Sequence, residues 1–285
     1  MRMRKRLFGK TLKLGLGGAI IVVSVIVALF APFVAPYDPY QQTLAARLKP
    51  PAWMTGGSTA YLLGTDAYGR DLLSRLIYGS RLSILIGLSS MAFSCVIGCT
   101  AGVIAGFKGG RIEKAIMRFA DAQMALPDIL LAIIMVAAVG GSAFNLIIVL
   151  GISRWMVYAR VVFGLTRTLR QRPFVEAATL YGGRDVYIIL QHIMPQILPV
   201  LTVVATLQVA QMILQETALS FLGLGLPPPT ATWGNILAEG AGRLFIAPWI
   251  ADLAGLSIIV LVWGINMFGN GLREHLDPKT RLVPR

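Results

Sequence analysis

The 285 residues carry a formal net charge of +13, yet only 14% of them are charged and 56% are hydrophobic. Soluble domains run at roughly 25% charged and 45 to 50% apolar, so this composition excludes an ordinary soluble domain. It also excludes a nucleic-acid binder, which needs a basic face on a folded soluble domain; here Lys and Arg flank long apolar blocks, the arrangement that orients membrane proteins by keeping basic loops cytoplasmic.

The first block, Leu14 to Ala35, follows Arg2, Arg4, Lys5, Arg6, Lys10 and Lys13. It is longer than a signal-peptide core and lacks a small-residue cleavage pattern, so it reads as an uncleaved anchor with its N-terminus inside. An external segment, residues 36 to 81, opens with Pro36-Tyr37-Asp38-Pro39 and carries Pro50-Pro51, which predicts irregular backbone. From Asp71 to Tyr78 it reads as a short amphipathic helix leading into the second block, Leu82 to Gly106. Cys95 and Cys99, four apart in that block, read as small packing residues. A disulfide framework does not fit their number and place, and no His, Asp or Glu is near enough to complete a metal site. Further blocks are Met124 to Gly140, Phe144 to Leu165, Ile197 to Leu222 and Pro248 to Phe268.

Blocks near 20 residues match the length a bilayer-spanning helix needs. The sequence therefore predicts an all-α polytopic membrane protein of six spans with both termini cytoplasmic. Loop charge agrees: Lys108, Arg111, Lys114 and Arg118, then Arg167, Arg170, Arg172 and Arg184, then Arg273, Lys279, Arg281 and Arg285 fall inside. The external segments hold Arg47, Lys49, Arg70, Arg75, Arg81 and Arg243, fewer over a greater length. The second external segment, residues 223 to 247, is again rich in Pro and Gly. Leu282-Val283-Pro284-Arg285 matches half of a thrombin cleavage site and is set aside as a cloning remnant.

The loop between the fourth and fifth blocks is too structured for a connector. In Arg172-Pro173-Phe174-Val175-Glu176-Ala177-Ala178-Thr179-Leu180-Tyr181-Gly182-Gly183, Pro173 suits the first helical turn, Glu176 the positive end of the helix dipole, and the glycines the helix end. The paired alanines offer a face of little bulk on which another protein can seat. This stretch resembles the EAA loop of the integral membrane subunits of binding-protein-dependent ABC importers: Glu176, Ala177 and Ala178 open the motif, Gly182 falls six positions after Glu176, and Ile193 and Pro195 close it. His192 and Met194 depart from the general pattern in the way of the peptide-transporter branch.

Leu63-Gly64-Thr65-Asp66-Ala67-Tyr68-Gly69-Arg70-Asp71, Ala125-Leu126-Pro127, Ala218-Leu219-Ser220-Phe221-Leu222-Gly223, Pro227-Pro228-Pro229 and Leu276-Asp277-Pro278 are similar to the C-type permeases of dipeptide, oligopeptide and nickel systems. The resemblance implies a type I importer core over residues 81 to 281 with a coupling loop at 166 to 196, preceded by an arm, first span and external segment over residues 1 to 80. It implies a homologous second permease as heterodimer partner, two ATP-binding subunits that use ATP and Mg, an external periplasmic or lipid-anchored substrate-binding protein, and a peptide substrate in the bacterial inner membrane. No cofactor is expected on this chain, which lacks the glycine-rich, lysine-containing loop that cradles ATP phosphates.

Asp66, Arg70, Asp71 and Arg75 are candidates either for docking an external partner or for pairing among themselves. Glu216, Arg154 and Arg160 lie within spans, where ionisable groups face protein or water; they are candidates for the translocation path or for inter-helix pairing, with pairing favoured for Glu216. Asp121 is expected to bond Arg118, and His192 and His275 to be isolated bystanders. Two other readings are weighed: a nickel or small-solute permease of the same family, and an ion-driven secondary transporter, for which neither a repeat nor an acid cluster is evident.

Overall fold

Where water is absent, backbone amides must bond one another, so each apolar block becomes a helix. A computed structural model describes residues 2–276; Asp277-Pro278, the charges beyond them and the terminal Leu-Val-Pro-Arg lie outside the described residues. Helix α1 (Arg2–Leu29) leads into the single turn α2 (Ala31–Val34) and then irregular chain with a 3-10 turn at Leu44–Ala46, as the prolines predict.

Helix α3 (Leu72–Lys108) is 37 residues long, about 55 Å at the α-helical rise. Asp71 caps it, accepting from the Ser74 amide at 2.8 Å and hydroxyl at 2.7 Å. The amphipathic stretch is thus not a separate helix but the N-terminal end of the second long helix, since no proline intervenes before Leu82 and Gly79 packs directly against Trp233.

The third span differs from expectation. Helices α4 (Gly110–Met124) and α5 (Asp128–Val139) meet at 92° across Ala125-Leu126-Pro127. Twelve residues of α5 reach only about 18 Å, short of a hydrocarbon core of about 30 Å, so any third crossing is a broken one made by the pair. Five helices are long and apolar enough to cross alone, or six units counting this pair.

Helix α6 (Ala143–Arg170) is followed by α7 (Pro173–Leu180), α8 (Asp185–Ile188), a wide π turn at Ile189–Ile193 and α9 (Met194–Phe221). Pro195 and Pro199 each remove a helical donor, yet Asp185 to Phe221 runs on through the wide turn as one span of 37 residues. Helices α10 (Trp233–Ala241), in the Pro- and Gly-rich segment 223–247, and α11 (Pro248–Leu276) complete the fold.

Helices in lipid gain little from hiding apolar surface from one another, so close contact depends on small residues. The largest helix contact, α3 on α6, follows this rule. Gly98, Gly102 and Gly106 recur every fourth residue; a Cβ on Gly102 would sit 2.6 Å from the Ala159 carbonyl oxygen, and one on Gly106 2.7 Å from Thr166 Cβ. Cys99 is buried near this seam as a free thiol, 3.8 Å from Cys95 Sγ.

Candidate functional site

The turn between α6 and α9 is built to project. Pro173 starts α7 and Glu176 stands in its first turn. The helix ends in a paired C-terminal cap: the Gly183 amide donates to the Ala178 carbonyl and the Gly182 amide to the Thr179 carbonyl, both at 3.0 Å. Gly182 takes φ +79°, a left-handed conformation that glycine adopts without strain. Val175 on the underside is 2% exposed and joins Ile188, Ile193, Tyr158 and Val162 in one apolar core, which anchors the turn to α6 and α9.

The outer surface differs from the smooth alanine face expected. Ala177 is exposed, but Ala178 is half-buried against the core. The exposed tip is bulky instead: Leu180 is 87% and Tyr181 93% exposed, with Val186, Tyr187 and Leu190 exposed beside them. Large apolar side chains held this far out on a fixed turn mark an interaction surface. His192 is not isolated, since its ring lies 5.6 Å from that of Tyr187 and 6.4 Å from that of Phe174. Ile193 is fully buried and Pro195 exposed. Beside α7 opens a cleft of about 900 Å³ bounded by Phe107, Lys108, Arg167, Arg170, Glu176 and Leu180. Ion pairs Lys108 to Asp185 (2.7 Å) and Arg167 to Glu113 (3.1 Å) link the helices around it.

On the opposite side, Asp66, Arg70, Asp71 and Arg75 are each at most 3% exposed. The Asp66 carboxylate accepts from Arg70 Nε at 2.6 Å and from Arg75 Nη1; Glu239 on α10 accepts from Arg75 Nη1 at 2.6 Å and Arg70 Nη2 at 3.0 Å. Asp66, Arg70 and Arg75 are internally paired, whereas Asp71 caps α3 through Ser74 and keeps one buried carboxylate oxygen without a partner; none of the four offers a free surface. Burial pushes the Asp71 carboxyl above its ordinary value, against the hydrogen bonds from Ser74 and Leu73. Glu239 was not singled out in the sequence, because its partners lie 164 and 169 positions away.

The ionisable residues of the spans separate three ways. Glu216 is fully buried and accepts from Ser220 at 2.8 Å and, across to α3, from Ser83 at 3.2 Å, an inter-helix tie without a basic partner. Arg160 pairs with Asp121 of α4, so Asp121 bonds α6 rather than the neighbouring Arg118. Arg154 pairs with Asp128 at 2.7 Å and reaches Gln208 on α9 at 3.4 Å. No group of three or more metal-ligating side chains occurs among the described residues.

A bundle of long apolar helices, one pair broken, that holds a fixed turn out of its end defines a multi-pass integral membrane protein. The sequence model of the binding-protein-dependent transport system inner membrane component matches residues 98–282, and that of the N-terminal TM domain of oligopeptide transport permease C matches residues 5–51. The chain is 43% identical over 267 residues to the di/tripeptide transport system permease protein DppC of Pseudomonas aeruginosa, covering 93% of this chain and 88% of that one. It is 36% identical over 266 residues to the dipeptide transport system permease protein DppC of Haemophilus influenzae, covering 93% and 90%. An inward-facing structure of the MetNI methionine ABC transporter superposes with TM-score 0.59 at 18% identity, over 72% of this chain and 98% of that one, a likeness of fold. The chain belongs to the binding-protein-dependent inner membrane components, the multi-pass permease subunits of ABC importers.

Proposed function

We propose that this chain forms half of the translocation pathway of an importer for dipeptides or short oligopeptides and takes its energy from separate ATPase subunits that seat on α7. The observation that carries the coupling role is the α7 turn, rigid beneath at Val175 and exposed above at Ala177, Leu180 and Tyr181. The peptide substrate is supported by the relatives, which are named as di/tripeptide and dipeptide transport permeases. A homologous second permease completes the pathway, an external binding protein delivers substrate, and α7 lies in the cytoplasm with both termini, in keeping with the Lys and Arg of the flanking segments. ATP and Mg are assigned to the partner subunits, a reading supported by the lack of a phosphate-cradling loop in this sequence.

The test is reconstitution in proteoliposomes with the second permease, the ATPases and the binding protein. Uptake of labelled dipeptide is expected only with ATP, and the purified chain alone is expected to hydrolyse ATP well below about 1 per second, the low end of ordinary turnover. Uptake driven by an ion gradient without ATP would favour a secondary transporter, and ATP-driven uptake of nickel but not peptide would favour the metal branch.

A further inference from the structure

We infer that Arg154 and Asp128, with Gln208 beside them, form a station in the translocation path that receives the two charged ends of a zwitterionic peptide. The inference rests on the peptide reading above and adds the residues that touch the substrate.

Depth comes first. Arg154 lies eleven residues into α6, about 16 Å from its outer end, and Asp128 begins α5, likewise about 16 Å below the far end of that helix. Both therefore stand near the middle of a hydrocarbon core of about 30 Å. Ionisable groups at that depth face protein or a water-filled cavity. In the single chain, however, the pair is partly open: the Arg154 side chain is 15% exposed and that of Asp128 35%. The open side cannot rest against lipid, so it faces the interior shared with the second permease.

The cluster also has bonding capacity left over. Arg154 Nε and Gln208 Nε2 are buried without partners, although Gln208 is only 7% exposed and its Oε1 accepts from Arg154. Gln215 Oε1, two turns along the same face of α9, is likewise unpartnered, and Gln211 between them is exposed. The station sits at the 92° break between α4 and α5, and breaks in membrane helices occur where backbone lines a cavity.

The pair suits a passing zwitterion on energetic grounds. Empty, the two charges compensate each other. When a peptide arrives, its carboxylate takes the guanidinium and its ammonium takes the Asp128 carboxylate, so no buried charge is left alone at any stage. Because the pair re-forms when the peptide leaves, binding stays weak enough for release, as conduction requires.

The test uses the full reconstituted complex and three labelled probes: free dialanine, its C-terminal amide and its N-acetyl form. For each probe the rate of the variant is divided by that of wild type, which cancels the preference of the binding protein. Arg154→Gln is expected to lower free-peptide uptake by about tenfold or more, as loss of a charged hydrogen bond does, and to lower the amide distinctly less. Asp128→Asn should do the same for free peptide while sparing the N-acetyl form, and Arg154→Lys should restore most of the uptake. Co-purification reports assembly; should Arg154→Gln fail to assemble, Asp128→Asn carries the same comparison. Equal losses for all three probes would overturn this inference alone, marking a pair that only joins helices. A wild-type complex that moves no peptide would overturn both it and the proposed function.

Discussion

Arg75 shows how a charge can live inside this protein. It is fully buried and bonds both Asp66 and Glu239, so neither of these carboxylates lacks a cation. Deleting one member of a buried ion pair costs about 3 to 5 kcal/mol, because the other is left uncompensated. Arg75→Leu is expected to lose about that much, read as a lowered thermal unfolding midpoint in detergent. Glu239→Gln should lose less, since its side chain is 24% exposed and an amide still accepts hydrogen bonds. An Arg75→Leu protein as stable as wild type would mean that Arg70 alone serves Asp66. The sequence displayed the local charges of Gly64 to Arg75 but not their common partner on α10, because ion pairing across 164 residues leaves no periodic trace.

Among the helices, small residues set what packs. Gly102→Leu is expected to abolish the folded protein or nearly so, since its Cβ would press on the Ala159 backbone of α6 rather than on a flexible side chain. Gly164→Ala on α6, with nothing within 4 Å of a new Cβ, should be neutral or stabilising by up to about 1 kcal/mol. Monodisperse elution in detergent and the thermal midpoint separate the two; equal behaviour would contradict the α3 to α6 seam. All six apolar blocks were legible as helical because length and apolarity suffice to identify them. The break in the third was not. Pro127 was visible, but the 92° bend depends on how α4 and α5 each lean on α6, which hydropathy does not encode. The spacing of Gly98, Gly102 and Gly106 was in the sequence, and its meaning lay in the partner helix.

At the scale of the whole molecule, α7 is joined to α6 through Arg172 and to α9 through α8 and the π turn, so movement of the turn is movement of two long helices. Such a geometry suits a rigid-body switch between outward-open and inward-open states. The turn itself was legible from the Pro173, Glu176 and Gly182 spacing. Its surface was not, because which alanine faces out depends on the buried anchor at Val175 and Ile193. Ala177 stands exposed on a helix outside the long apolar rods, so a large side chain there leaves the fold of this chain intact while obstructing a partner's groove. The most direct measurement is therefore uptake of labelled dipeptide by cells carrying Ala177→Trp, with the amount of permease in the membrane checked alongside. The account predicts normal insertion and uptake reduced to background; normal uptake would mean that α7 is only a connector and that coupling runs elsewhere.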